Sequence, residues 1–522
     1  MTVAFPKMSL FAACLLATVA ALAFPALGDE GTPAAPARSQ PLDLRLRPVP
    51  RVASASAAPL QPGTQAPPPL TGAPSMILAW ADVEAAAPEA LSEVRARGEV
   101  TLDDAYHLAL AVSLRVGQAR EAYLSARADL TTARAQVLPY VSLEDTYYKQ
   151  NKVTIGASSG AGLTFADQRN EALVRVQQPI FSGLRDIYFA RSARDSMLAL
   201  RHGLDDAGRL LYRDTAVLFY DSLASDARVK TLQDQVTVER ERLREIDARR
   251  EVGLARRTEV LLAQSQLGDD ESLLTSAIND SLVARQRLAL LAGVPVDLPL
   301  HDDVAIGEGP DPKDTDAAVE TLVREARENR ADLKQAGGEI DAAKSRVSAA
   351  RGGYFPTVGL NAAWILDRDN FSEFNEKTDW FAEVDFRLPV FDGGRTRASV
   401  ARARSDQRSA EIAREDLEWQ IRLEINDRWL GLQSGLALIK TIETRLAYTD
   451  ENYRLIQEEY RAGLATNLEV IAAQNQFLSA RLDLDRQSFQ NKLEWIGLRV
   501  AQGLLPGGPI PEDAGPGGAG TR

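Results

Sequence analysis

A single cysteine, Cys14, and three histidines, His107, His202 and His301, are all that this chain of 522 residues offers for thiol or imidazole chemistry. Cys14 lies in the first apolar stretch, so a chain cut after that stretch has no disulfide, thiol nucleophile or thiolate metal site. No histidine has a second one at metal-ligand spacing. There is no HExxH, no Gly-rich phosphate loop and no nucleophile–base spacing. The residues therefore point away from an enzyme and call for no cofactor and no metal. Paired acids such as Asp205-Asp206 and Asp269-Asp270 read as solvated helix faces. An excess of basic charge is missing too: 60 Lys and Arg stand against 73 Asp and Glu, a net charge of −13. Nucleic acid is excluded as a partner, because binding it needs a basic face. Beyond the first apolar stretch no run of 18 or more apolar residues occurs, so no transmembrane helix is expected in a mature chain.

Residues 1–28 have the order of a secretory signal peptide: Lys7, then an apolar core from Leu10 to Phe24, then small residues at Ala26-Leu27-Gly28. Cleavage is expected before Asp29. Cys14 sits inside the apolar run instead of at its end, which argues against a lipidated cysteine. Residues 29–98 are expected to be a disordered extension, since their Ala- and Pro-rich part cannot bury a core. Residues 299–318, with Pro299, Pro310, Pro312 and several acids, read as a linker. The Gly- and Pro-rich residues 507–522 read as a disordered tail.

What remains repeats itself. Pro179-Ile180-Phe181-Ser182-Gly183 returns as Pro389-Val390-Phe391-Asp392-Gly393, 210 positions on. Gly253-Leu254-Ala255 with Glu259-Val260 returns at the same spacing as Gly463-Leu464-Ala465 with Glu469-Val470. Leu138-Pro139 has its counterpart in Phe355-Pro356. A period this long is far from the roughly 20–50 residues of a solenoid unit and indicates an internal duplication. Repeat 1 spans 99–298 and repeat 2 spans 319–506. Each reads as helix, Pro, strand, strand, Pro-x-Phe-x-Gly, very long helix, Gly turn, long helix.

Helices are expected over 101–137 and 319–350, then over the nearly Pro-free stretches 186–251 and 396–461. Steps of three and four join Val229, Leu232, Val236, Leu243 and Ile246, with Glu239 interrupting the seam. The same steps join Ile439, Ile442, Leu446, Thr449, Tyr453, Ile456 and Tyr460 in repeat 2. Gly253 and Gly463 then reverse the chain as helix C-caps. Trp419, Trp429 and Trp495 are expected to pack between helices.

Two segments per repeat alternate with period two. Trp380, Ala382, Val384 and Phe386 form an apolar face opposite Glu383, Asp385 and Arg387. Val358, Leu360, Ala362 and Trp364 form another, and Ala172, Val174 and Val176 oppose Arg175 and Gln177. Segments of about ten residues can cross a bilayer when tilted. Four strands cannot close a barrel, and open edges are not tolerated in lipid because their N–H and C=O groups go unsatisfied. A membrane reading therefore needs several chains, and three would supply twelve strands. Without a membrane, the same pattern describes a structural or adhesive coiled-coil protein of the cell envelope. A periplasmic adaptor would carry one helical hairpin, not two.

The strand exits at 178–183 and 388–395, the turns at 251–254 and 461–464, and the strand entries at 138–143 and 355–360 together resemble the bacterial outer membrane efflux proteins, the TolC-like outer membrane factors. The resemblance covers about residues 99–506. It implies a mixed α/β membrane protein: a homotrimer whose 12-stranded β-barrel, four strands per chain, sits in outer-membrane lipid and continues as an α-helical coiled-coil tunnel through the periplasm. It implies a passive channel for efflux or type I secretion, docked to a periplasmic adaptor and an inner-membrane pump of RND or ABC type. By position, Gly253, Leu254, Gly463 and Leu464 would be the docking tips, and Glu469, Glu259, Tyr460 and Thr258 the periplasmic gate. Glu383, Asp385, Arg387 and Arg175 would line the barrel, Trp364 and Trp380 would face lipid, and Pro179, Gly183, Pro389 and Gly393 would make the strand–helix turns. The sequence departs from the family at Ala465, where an Arg is expected, and at Ala472, where an acid is expected. Tyr460 would then reach Glu259, and closure would be weaker than in the family or would use Arg256 or Arg257 in place of the missing Arg.

Overall fold

The computed structural model describes residues 88–149, 151, 154–155, 163–164, 168–306, 315–368, 378–506 and 510. The expected signal peptide, the extension up to 87 and most of the tail lie outside the described residues. In chain order the elements are α1 (Pro88–Arg97), α2 (Leu102–Val112), α3 (Leu114–Ala135), β1 (Tyr140–Lys149), β2 (Thr154–Ile155), β3 (Leu163–Thr164) and β4 (Gln168–Phe181). Then come α4 (Arg185–Glu251), α5 (Arg257–Ala292), α6 (Thr315–Asn329), α7 (Ala331–Arg351), β5 (Thr357–Arg368), β6 (Thr378–Arg387), α8 (Arg395–Arg461) and α9 (Asn467–Ala501).

The two long helices, α4 and α8, have 67 residues each and start 210 positions apart. At about 1.5 Å per residue each extends roughly 100 Å. Each folds back through a short turn onto the next helix, giving hairpins α4–α5 and α8–α9. No described helix is both long and apolar enough to cross a membrane.

The helices at the start of each repeat are broken where continuous ones were expected. Ser113 is extended, with φ −67° and ψ 113°, and its side chain accepts from the Val116 N–H to start α3. Arg330 is extended likewise between α6 and α7. Its guanidinium is buried and bonds Asp332, Glu424 and the Ala501 carbonyl. At Ser113 a local side-chain cap makes the break, and at Arg330 tertiary polar contacts do.

Three outer boundaries also need correction. Residues 88–97, expected within the disordered extension 29–98, form α1, because Leu91 and Val94 share a helix face and bury it in the core. The linker 299–318 is ordered at both ends. Leu300 bridges Val100, Asp302 accepts from the Tyr220 hydroxyl and pairs with Lys492, and α6 begins at Thr315. Ile510, expected in the tail, is buried against Gly208 and Tyr106, and its carbonyl accepts from Arg201 at 2.6 Å.

The larger apolar core joins α1 and α2 to the middle of α4 and the far ends of α5 and α9, around Tyr106, Leu108, Phe219 and Tyr220. A second joins α6, α7, α8 and α9 around Trp429, Ile421 and Ile425. Trp495 packs against it. Trp419 departs from its expectation: it is 64% exposed, on a face of α8 roughly 80° around the helix from buried Trp429.

Four strands form one antiparallel sheet in the order β1-β4-β5-β6, so the two repeats meet at β4 and β5. The register aligns Leu143, Val174, Trp364 and Trp380 in one row across the sheet, and Val141, Val176, Ala362 and Ala382 in another.

Candidate functional site

The tips come first, because the chain builds them the same way twice. The Leu254 N–H donates to the Arg249 carbonyl at 2.8 Å, and the Gly253 N–H to that of Arg250 at 3.0 Å. In repeat 2, Leu464 donates to Glu459 at 2.8 Å and Gly463 to Tyr460 at 3.1 Å. This helix end requires a left-handed residue, and Gly253 and Gly463 supply it with φ of +82° and +77°. Such a motif commonly tucks its following apolar residue against the helix. Here Leu254 and Leu464 project instead, 79% and 81% exposed.

The returning helices start differently. Thr466 and Glu469 form a full reciprocal cap: the Thr466 hydroxyl oxygen accepts from the Glu469 N–H, and the Glu469 carboxylate accepts from the Thr466 N–H at 2.6 Å. In repeat 1 the cap position is Arg256, which has no acceptor. Only the half in which Glu259 accepts from the Arg256 N–H forms, at 3.3 Å. The Thr466 bonds hold the exposed Glu469 carboxyl below the usual carboxylate range, so it is ionised at neutral pH. Thr258 is exposed beside Glu259.

Tyr460 is half-buried, and the Arg249 guanidinium lies over its ring at 5.0 Å. Burial raises its phenol above the ordinary value, and the Glu259 carboxylate adds to the rise. No hydrogen bond joins Tyr460 to Glu259, so the expected contact is electrostatic. Arg256 and Arg257 are exposed, and neither makes an ion pair among the described residues.

A cluster that sequence reasoning missed lies just behind the tips. Glu239, read as a break in the seam, is 1% exposed. Burial pushes its carboxyl above the usual range, while Arg242 pulls it back. Arg242 donates to Glu239 at 3.3 Å and, across to α9, to Gln474 at 2.8 Å, the Asn467 carbonyl at 3.1 Å and the Asn467 side chain at 2.6 Å. The signal was present: an acid at a seam position with an Arg three residues on.

On the sheet, the pleat and register put Arg175, Glu383, Asp385 and Arg387 on one face. Arg175 pairs with Glu144 of β1 at 3.3 Å, and Arg387 lies 3.8 Å from Asp385. The opposite face carries Trp364, Trp380, Val384 and Phe386, all exposed. A sheet with apolar side chains outside and charges inside, prolonged by long paired helices, is the layout of a β-barrel channel with a helical tunnel.

Each sheet end passes into a long helix through a tight turn. Pro179 stands at a bulge in β4, opposite Gly359. Gly183 has φ +68°, and a Cβ there would stand 2.3 Å from the Gly352 carbonyl oxygen. Pro389 and Gly393 follow β6, and Asp392 accepts from the Gly394 and Thr396 N–H groups to start α8.

Comparison with known proteins identifies the class. The sequence model of the family described as Outer membrane efflux protein matches residues 105–294 and again 322–504, and the chain belongs to that family. It is 23% identical over 427 residues to the Proteases secretion protein PrtF of Dickeya chrysanthemi, covering 77% of this chain and 88% of that one. It is 25% identical over 376 residues to the Probable efflux pump outer membrane protein TtgC of Pseudomonas putida, covering 68% and 73%. The fold is similar to that of VceC, an outer membrane protein of Vibrio cholerae, with TM-score 0.65 and 18% identity over 77% of this chain and 96% of that one. It is similar also to the CmeC outer membrane channel of Campylobacter jejuni, with TM-score 0.66 and 14% identity over 77% and 85%. The chain is an outer-membrane channel with its helical part in the periplasm.

Proposed function

We propose that three copies of this chain, each built from duplicated repeats 99–298 and 319–506, close a 12-stranded barrel in the outer membrane. Their long helices would form a periplasmic tunnel. The observation that carries this reading is the open sheet. Among the described residues β1 and β6 are each paired on one side only, while the outward face is apolar. In lipid those edges must be paired, and a second and third copy supply the pairing. Trp364 and Trp380 then meet lipid, and Arg175, Glu383, Asp385 and Arg387 line the lumen.

The conduit is passive. It takes its cargo from a periplasmic adaptor and an inner-membrane pump, of RND or ABC type, in a tripartite efflux or secretion system. The projecting Leu254 and Leu464 on rigid helical tips are suited to apolar docking of the adaptor. Glu469, ionised and exposed at the tip, gives a ring of like charge when three copies converge, with Glu259, Thr258 and Tyr460 beside it.

The test is detergent extraction from outer membranes followed by gel and planar-bilayer measurement. The expected result is a trimer that separates only on heating and conducts ions. A stable monomer without conductance overturns the reading.

A further inference from the structure

We propose that a collar of arginines at the foot of the β-sheet binds the headgroups of anionic phospholipids in the periplasmic leaflet of the outer membrane. The inference rests on the channel reading and names the lipid class that reading leaves open.

Charge reverses from one end of α8 to the other. Its first twenty residues, 395–414, hold six Arg against two acids, and its last twenty, 442–461, hold three Arg against five acids. The basic end is the one that meets the sheet, in a chain of net charge −13. Each helix that joins the sheet has an arginine at that end. Arg134 is in the last turn of α3, Arg185 opens α4, Arg351 closes α7 and Arg395 opens α8. A cation suits the C-terminal ends of α3 and α7, but at the N-termini of α4 and α8 it opposes the helix dipole. Helix electrostatics therefore does not account for the set. These four, and Arg397 and Arg402 behind them, are exposed. Arg185 lies 3.9 Å from Asp186, and the other five make no ion pair among the described residues. Pairing within the chain does not account for them either.

Their position does. An exposed apolar band stands between the sheet and the arginines: Val390 and Phe391 after β6, 92% and 90% exposed, and Phe355 before β5. Aromatic side chains followed by cations is the order met on leaving a bilayer core for its headgroups. There an arginine stem rests on apolar groups while its guanidinium reaches the polar layer. The packing of α3 on α4, α4 on α7 and α7 on α8 sets the four helices side by side, in the order of the strands they continue. Each helix thus has one side that continues the apolar face of the sheet. At about 100° per residue, Arg395 and Arg402 share one side of α8 and Arg397 stands on the other. The outward side carries a guanidinium whichever of the two it is. A guanidinium fits phosphate oxygens as a two-pronged donor, and a net negative headgroup layer attracts it over roughly 10 Å, as a zwitterionic layer does not.

The full-length oligomer in detergent is mixed with equal amounts of phosphatidylglycerol and phosphatidylcholine, and the lipid that stays bound is read by native mass spectrometry. Conductance in phosphatidylcholine bilayers is the control for folding and for the channel. Wild type is expected to retain phosphatidylglycerol several-fold over phosphatidylcholine, and the preference should fall at high salt. The triple variant Arg395→Gln, Arg397→Gln and Arg402→Gln should lose most of the preference and still conduct. The same three changed to Lys should keep part of it, because the charge remains while the fork is lost. Displacement of the lipid by an equal amount of inorganic phosphate would mark a free-anion site and overturn the collar. A conducting wild type that holds both lipids equally, or a Gln triple with unchanged preference, also overturns the collar and leaves the channel reading intact. Arginine-dependent sedimentation with peptidoglycan, without lipid preference, does the same. If the triple does not assemble, Arg134→Gln and Arg395→Gln decide singly: a partial loss supports the collar, and no loss overturns it. A wild type without conductance overturns both readings.

Discussion

The helices α4 and α8 have equal length and equivalent ends, yet they occupy different places. Nineteen residues of α4 are buried, against seven of α8. At some equivalent positions they agree: Phe219 and Trp429, 210 apart, are both fully buried in their own cores. At others they diverge. Arg209 is buried between Asp206 and Asp332, while its counterpart Trp419 stands in the open. Trp419 shares its exposed face with Ile412, Leu423 and Leu430, so α8 has apolar residues on two separate faces and uses one of them within the chain. Two elements alike in length and ends need not play the same role. α4 lies largely inside the chain, and α8 keeps an exposed apolar stripe of the kind that marks an interaction surface.

The comparison can be broken first at its two cores. Trp429→Ala and Phe219→Ala each remove a fully buried aromatic, at a cost of about 3–5 kcal/mol, and should lower thermal stability sharply by circular dichroism. Trp429→Phe should recover most of that loss, because the indole N–H has no hydrogen bond in its buried site. Trp419→Ala should leave helix content unchanged yet lower the temperature at which the oligomer separates on a gel. If Trp429→Ala and Trp419→Ala have the same effect, the two faces of α8 are not distinct.

A smaller effect separates the tips. Thr466→Ala removes a helix cap and should cost about 1 kcal/mol, whereas Arg256→Thr should complete the missing half of the equivalent cap and stabilise by a similar amount. Glu469→Gln keeps the cap, since Gln serves in the same position, while discarding the charge. It should therefore leave stability nearly unchanged and reduce cation preference and block by multivalent cations in single-channel recordings. Unchanged selectivity would place the constriction elsewhere.

An effect of similar size to the caps lies at the strand exits. Gly394 takes a left-handed conformation before α8, with φ +85°, and the equivalent residue before α4 is Leu184, with φ +63°. A side chain there costs about 1–2 kcal/mol. Leu184→Gly should raise stability by about 1 kcal/mol, and Gly394→Leu should lower it by a similar amount, both read by chemical denaturation.

How far the fold was legible depended on whether a feature was local. The ends of α4 and α8 were visible to within a residue, because Gly253, Gly463 and the Pro-x-Phe-x-Gly segments act through their own backbone conformation. The strand faces were visible because period-two alternation follows from the pleat. The breaks at Ser113 and Arg330 were not, since Arg330 gains its extended conformation from partners as distant as Glu424 and Ala501. Glu239 showed only as a fault in a heptad. Its burial, and the reach of Arg242 to Asn467 and Gln474, arise from residues more than 220 positions apart.

The sequence by itself determined the recurring turn motifs, the helix and strand periods and the amphipathic faces, because each rests on the conformational preference or spacing of neighbours in the chain. Only the tertiary structure decided which of two similar helices lies inside, which boundary segments join the core, and which arginine bridges α4 and α9. Those outcomes depend on desolvation and on hydrogen-bond partners that chain order does not specify.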